Sequence, residues 1–447
     1  MDRRVFLASL LSSAAGAQQQ RQQSRHVVII SLDGFPAFGL RGARLPVPVL
    51  RRLAAKGAMA TGGMETVNPT VTWPNHTSII TGVRPSGHNV VINGLVQRKE
   101  TGTSLRVEPW IDKPQMVLAP TLYDVAHAAG LTTAQVDWVA IHNAATITYA
   151  FPEVPRLTDP VVKEMMAAGT ISEADVQTFN KGSIVWRDEM WTQAAEHIIE
   201  KHKPNLLLYH LLTTDSAQHT YGASSLGGNT ALALADARVG RVLAALERAG
   251  ILARTTVFVV SDHGFKTYKQ VIQPNAVLRR EGLVTVLEGG KVMCDAWVIP
   301  EGGTAMVYIT RPETRAQLLP RLQGLFATVR GVARVLDAKA YAEFGYPTTD
   351  KGQMADLVLA AADGYSFSGA TSGDAVVAVP AGASPGSHGY LSTDPAMDAV
   401  FIASGAGVKS GVKLDRVRNI DVAPTAAKLL GVEMRNVEGR VLSEILG

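Results

Sequence analysis

Four apolar runs set the limits on what this chain can fold into. His26 to Phe35 reads HVVIISLDGF, Asn205 to Asp215 reads NLLLYHLLTTD, Thr255 to Gly264 reads TTVFVVSDHG, and Ala399 to Gly405 reads AVFIASG. Such runs belong to strands buried on both faces, because a strand with one wet face alternates apolar and polar residues. Helix-like segments at 120–129, 188–202, 229–249 and 419–430 lie between and after them. Strands alternating with helices predict an α/β fold with a mostly parallel central sheet and helices on both faces. The chain has 447 residues, 46% hydrophobic and 18% charged, which is enough apolar material for a large core. Its net charge of +4 is spread along the sequence, so no specific nucleic-acid partner is expected.

Ligands of a parallel α/β sheet bind at the carboxyl ends of its strands. Three of the four runs end there in acid, or acid with histidine: Asp33, Asp215 with His219, and Asp262 with His263. A single carboxylate at a strand end is commonly a turn residue. Three on one edge would repel and call for positive charge, which a pair of metal ions supplies. Asp215 and His219 are four apart, a spacing that places both on one side of a helical turn or a tight loop. His388, in PGSHGYLSTDPAMD, is flanked by a Gly/Ser/Pro-rich approach and the last apolar run, and is expected on a loop at the same edge. His26, His127, His197 and His202 read as surface or helix residues, His76 and His88 as loop supports, and His210 as a core histidine.

The stretch Asn68 to Asn93 carries the remaining chemistry. Pro74 to Thr81 is expected to be a short helix, with proline in its first turn and Gly82 past its end. Thr72 then stands at or beside the N-terminus, where free N–H groups and the helix dipole favour an anion such as phosphate. At this point its hydroxyl is either a nucleophile or an N-cap.

The chain opens MDRRVFLASLLSSAAGAQQQ, with Arg3-Arg4, an apolar stretch and Ala15-Gly16-Ala17. Residues 1–17 are expected to be an export signal of twin-arginine type and 18–25 a polar tether, placing the protein in the periplasm or outside the cell. The apolar stretch is too short to span a bilayer, and no later run is long enough. Cys294 is the only cysteine, so no intramolecular disulfide is expected. Residues 26–264 and 386–447 are expected to form the α/β core, and 265–385 an insertion that shapes the substrate pocket.

In order, an Asp ending the first strand, Thr in TWPNH, Asp-x-x-x-His, SDHG and GSHG resemble the alkaline phosphatase superfamily, and within it the type I phosphodiesterase/nucleotide pyrophosphatase family. The resemblance implies an alkaline-phosphatase-like fold. It assigns Asp215, His219 and His388 to one zinc ion and Asp33, Asp262 and His263 to a second. It makes Thr72 the nucleophile, itself bound to that second ion, and Asn93 a hydrogen-bond donor to a phosphoryl oxygen. It also implies in-line attack, a covalent phosphothreonine intermediate and its hydrolysis. Three nitrogen and oxygen ligands per metal suit catalytic zinc, with manganese and iron as alternatives.

Monoesterases of this kind place a basic residue beside the phosphate, where this chain reads VDWVAIHNAATITYAF from Val136 to Phe151. That absence favours a small-molecule diester, nucleotide or lipid-like. Trp73 is the expected stacking surface for its second substituent, with Trp138 and Tyr149 behind it. The alternatives are a phosphomonoesterase or phosphonate hydrolase on the same metal pair, and a non-catalytic phosphate- or metal-binding protein.

Overall fold

The computed structural model describes residues 25–447, so the expected export signal, and the tether up to Ser24, lie outside the described residues. The central sheet has eight strands: β1 (His26–Leu32), β2 (Ala58–Glu65), β5 (Thr133–Val136), β6 (Tyr149–Phe151), β7 (Leu206–Leu211), β8 (Thr255–Val260), β13 (Phe401–Gly405) and β14 (Val412–Arg418). Their order is β14-β2-β13-β8-β1-β7-β5-β6. The two short strands β3 (Leu95–Gln97) and β4 (Arg106–Glu108) form a separate hairpin.

The four runs that read as buried strands are β1, β7, β8 and β13, adjacent in the middle of the sheet, where both faces are covered. Along β1, Val28, Ile30 and Leu32 face helices α5 (Ile184–His202) and α7 (Leu226–Arg248). Val27 and Ile29 face α2 (Thr72–Thr81), α3 (Leu122–Ala128) and α9 (Val422–Leu430). Among these pairings only β13 runs antiparallel, to both β8 and β2. Its beginning therefore lies beside the carboxyl ends of its neighbours, which carries the preceding loop, with His388, to the functional edge.

A second, antiparallel sheet of four strands is built by β9 (Ala296–Glu301), β10 (Thr304–Ile309), β11 (Val332–Leu336) and β12 (Leu357–Ala361), covered by α8 (Arg315–Ala327). Residues outside the expected insertion belong to its other face: Val91, Ile92, Val96 and Leu105 pack with Ile299, Met306 and Tyr308 in one apolar cluster. The smaller lobe thus takes hold of the chain on both sides of Asn93. Among the described residues no helix is long and apolar enough to cross a membrane.

Candidate active site

Most of the candidate ligands are held by partners distant in sequence. Asp33 follows β1 directly, and Gly34 after it has φ +68°. A Cβ at Gly34 would lie 2.9 Å from the Phe265 ring and 3.3 Å from the Asp215 Cα, so glycine is what lets these segments close. Asp215 and His219 lie on helix α6 (Thr213–Tyr221), which begins earlier than the apolar run suggests. The buried Asp188 carboxylate accepts from the N–H groups of Leu212 (3.0 Å) and Thr213 (3.1 Å) and so caps this helix. Thr214 Oγ1 and Gln218 Nε2 donate to the carbonyls of Asp33 and Gly34, tying α6 to the end of β1. Asp262 and His263 follow β8, and Gly34 N donates to Asp262 Oδ1 at 3.1 Å.

Two triads result, Asp33/Asp262/His263 and Asp215/His219/His388, and the potential ligand atoms within each lie no more than 4.8 Å apart. The three histidines are oriented alike. Nδ1 lies 3.1 Å from a backbone carbonyl oxygen in each case: Gly264 for His263, Gly386 for His219 and Thr70 for His388. A carbonyl only accepts, so Nδ1 carries the proton and Nε2 offers its lone pair. The Nε2 atoms point at carboxylates, 3.3 Å from Asp215 Oδ1 for His219, 3.6 Å from the same oxygen for His388, and 3.2 Å from Asp262 Oδ2 for His263. The His263 and His388 rings stack at 3.7 Å, which joins the triads into one site.

The donor atoms left over fit a pair of cations. Asp33 Oδ1, Asp215 Oδ1, Asp262 Oδ2 and His263 Nε2 are buried and lack a hydrogen-bond partner. Orphaned buried polar atoms are costly, and four converging ones need an explanation. Burial and the neighbouring Asp262 and Asp215 charges push the Asp33 carboxyl well above its ordinary range. Burial pulls His263 down to about 4 and His388 to about 3, so both imidazoles are neutral and ready to ligate at neutral pH. Two neutral imidazoles beside crowded carboxylates are a donor set whose unpartnered atoms a pair of divalent ions would satisfy.

Thr72 is the first residue of α2, and Val71 holds the N-cap position without a side-chain cap. The capping alternative for the Thr72 hydroxyl is therefore not realised, and that hydroxyl makes no hydrogen bond among the described residues. Backbone contacts tie this turn to both triads: the Thr70 carbonyl meets His388, while the Thr72 carbonyl lies 2.8 Å from His76 Nδ1, itself 3.6 Å from Asp262 Oδ2. Asn93 Oδ1 accepts from Trp73 N at 2.9 Å, which leaves the Asn93 amide nitrogen as the free donor.

Residues of this turn line two cavities. One, of about 280 Å³, is lined by Trp73, Trp110, Trp138 and Tyr149 among others, near the lower end of small-molecule sites. The other includes Val71, Asn93, Glu301 and His388. Burial pushes the Glu301 carboxyl up to about 8. Trp110 and Glu301 sit in stretches without any catalytic pattern, and sequence reasoning missed them. Arg156 also lines the first cavity, but its guanidinium faces Asp159 at 3.5 Å.

Several histidine and aromatic expectations change. His26 is buried in β1 against the Pro204 carbonyl rather than on the surface. Trp138 is 2% exposed, edge-on to His76, and so supports the site more than it offers a stacking face. Tyr149 stacks on His202 at 3.8 Å. His88 does support the loop, with Ser78 Oγ 2.9 Å from its Nε2 and Val90 N donating to its Nδ1. His210 is a core histidine with a further task, since its Nε2 lies 3.0 Å from Asp33 Oδ2 and its Nδ1 2.9 Å from the Asp137 carbonyl. It fixes one Asp33 oxygen and turns the other toward the triad. His210→Gln is expected to weaken metal binding at the Asp33 triad roughly 10- to 100-fold, read by chelator competition, with the Asp215 triad little changed.

Comparison with known proteins agrees with this architecture. Human ectonucleotide pyrophosphatase/phosphodiesterase 5 superposes with a TM-score of 0.71 at 17% identity, covering 95% of this chain and 100% of that one. The inactive T72A form of the murine protein in complex with AMP gives 0.70, at 17% identity and the same coverage. In sequence, the frog (Xenopus laevis) bis(5'-adenosyl)-triphosphatase enpp4 is 21% identical over 96% of this chain and 83% of its own length. Human ectonucleotide pyrophosphatase/phosphodiesterase family member 1 is 24% identical over 54% of this chain, and the match spans 23% of that longer protein. The sequence profile of type I phosphodiesterases/nucleotide pyrophosphatases matches residues 27–391, most of the chain. This protein belongs to the type I phosphodiesterase/nucleotide pyrophosphatase family.

Proposed function

We propose that the protein is an exported, metal-dependent phosphodiesterase/nucleotide pyrophosphatase that uses Thr72 as its nucleophile. The observation that carries this reading is the unpartnered Thr72 hydroxyl at a helix N-terminus, on a turn whose backbone is tied to both triads, whose buried ligand atoms lack partners. Asp33, Asp262 and His263 would hold one divalent ion beside Thr72, and Asp215, His219 and His388 the other. When bound, such ions, zinc by the donor set, favour the alkoxide of Thr72 and stabilise charge on the leaving oxygen.

The chain's own residues supply the rest. Thr72 Oγ1 forms the new P–O bond as the bond to the leaving group breaks, giving a phosphothreonine that still carries the diester's second substituent, while the hydroxyl proton leaves with the departing alcohol. Water then cleaves that ester and restores the hydroxyl. The Asn93 amide, oriented by the Trp73 N–H, donates to a phosphoryl oxygen at the mouth of the helix. The two cavities lined by the neighbours of Thr72 suit the two substituents of a diester, and the Val136–Phe151 stretch has no Lys or Arg for a dianion. A nucleotide is favoured by the AMP held by the murine structural neighbour and the name of the frog relative.

Turnover of a bis-aryl phosphate diester against the corresponding aryl monoester tests the reading. Clear preference for the diester is expected, and preference for the monoester selects the monoesterase alternative. Within the diesters, Trp73→Ala is expected to lower kcat/KM for an aryl or nucleoside substrate roughly 5- to 150-fold, the effect of losing about 1–3 kcal/mol of ring stacking. A dialkyl diester should lose far less; equal losses would mean that Trp73 packs the loop and does not touch the substituent.

A further inference from the structure

A third group of metal-ligating side chains lies outside the catalytic triads. Glu164 is on α4 (Pro160–Ala167), while His197 and His202 lie in the last two turns of α5. Glu164 Oε2 is 3.2 Å from His197 Nε2 and 2.7 Å from His202 Nε2, and the three potential ligand atoms all lie within 4.8 Å of one another. Both imidazole side chains are 11% exposed, buried enough to be held in place yet reachable by an ion from solvent. Tyr149, stacked on His202 at 3.8 Å and 17°, fixes the orientation of that ring.

Burial works against the Glu164 charge, but hydrogen bonds from His202 and His197 outweigh it and hold the carboxyl at about 2. The group is therefore an ionised ligand throughout the neutral range. Two imidazoles and one carboxylate form a donor set that zinc, nickel and copper accept. The opposing feature is Lys201, whose Nζ lies 3.4 Å from the same Glu164 oxygen. Its side chain is 52% exposed and free to swing into water, so a metal ion has only a surface ion pair of about 0–1 kcal/mol to displace.

We propose that Glu164, His197 and His202 bind a third divalent transition-metal ion, sharing no ligand with the catalytic pair, and that this ion locks the outer wall of the aromatic cavity. The link to the cavity is direct. Pro160 and Val161, at the start of α4, line it together with Trp73, and so does Tyr149 behind His202. An ion at the triad joins α4 to α5 and fixes that wall.

Calorimetric titration of zinc into the full-length protein, with both catalytic ions already in place, tests the proposal. One further equivalent per chain is expected, with slower amide exchange across Pro160–Ala167. Glu164→Gln and His202→Gln are each expected to weaken that equivalent roughly tenfold or more, while elemental analysis still finds the catalytic ions. His197→Gln, judged folded by circular dichroism, serves should either of those fail to fold. Absence of a further equivalent up to millimolar zinc, or its persistence in the variants, overturns the site. Binding that leaves exchange in α4 unchanged overturns the locking of the wall.

Discussion

Thr72→Ala is expected to abolish diester hydrolysis, by at least about 10⁴-fold in kcat, while the protein keeps its fold and both metal ions. The effect is large because no other hydroxyl replaces it. Thr70 Oγ1 donates to the Tyr390 carbonyl at 2.6 Å and Thr77 Oγ1 to the Trp73 carbonyl at 2.7 Å, so neighbouring threonines are already committed. Retention of fold follows from the absence of any cap or hydrogen bond made by the Thr72 side chain. Thr72→Ser separates the roles further: a serine hydroxyl at the same place should restore a substantial part of the rate, since the chemistry needs the oxygen and not the methyl group. Rapid quench with a radiolabelled diester should trap label on the wild-type chain and none on Thr72→Ala. Full activity in Thr72→Ala, or equal labelling of both proteins, would remove Thr72 from the reaction.

What the sequence displays and what it conceals divide along physical lines. The inner strands β1, β7, β8 and β13 are legible because burial on both faces demands unbroken apolar runs. The strands that escape notice are marginal by the same rule. β14 reads VKLDRVR with one wet face at the sheet edge, β2 reads AMATGGME and carries an irregular register at its glycines, and β5 and β6 are only four and three residues long. The direction of β13 is set by a long excursion through the smaller lobe, which no local pattern encodes. The helical start at Thr213 depends on Asp188, a capping carboxylate from another helix. The candidate ligand residues stand out because each chemical type sits at a strand end or in a short motif. Supporting residues do not: His210, inside an apolar strand, is recognisable as a partner of Asp33 only once β1 and β7 lie side by side.

Removing the metals should turn the active site from a source of stability into a liability that grows with pH. In the metal-free protein burial raises Asp33 well above the carboxylate range, joined by the Asp262 and Asp215 charges, and burial alone pushes Glu301 up to about 8. Burial also drives Asp137 to about 8 against the opposing pull of His210. A carboxyl whose folded pKa is raised binds a proton that the unfolded chain has already lost, so its contribution disappears as pH rises through the folded value. His263 and His388, lowered by burial to about 4 and 3, act in the opposite sense. Their effect is confined below the ordinary histidine pKa of about 6.5, because above it both folded and unfolded imidazoles are neutral. Between pH 6.5 and 8 the carboxyls act together with His210 and His219, whose folded imidazoles, despite burial, are also raised by their carboxylate partners and lose their contribution in the same direction. Each carboxyl costs about 1.4 kcal/mol per pH unit while it stays protonated in the folded state. Chelated protein is therefore expected to lose denaturation midpoint steadily over that interval. Zinc should restore it most at the alkaline end, with about 4 kcal/mol per site when free metal stands at 1,000 times Kd. Asp33→Asn removes the repulsion without the ion, so this variant should be more stable than the chelated wild type at pH 8 and yet fail to retain the metal beside Thr72. Equal midpoints at pH 6.5 and 8 after chelation, together with an Asp33→Asn protein no more stable than its parent, would show that Asp33 does not carry the strain that burial and its crowding by Asp262 and Asp215 imply.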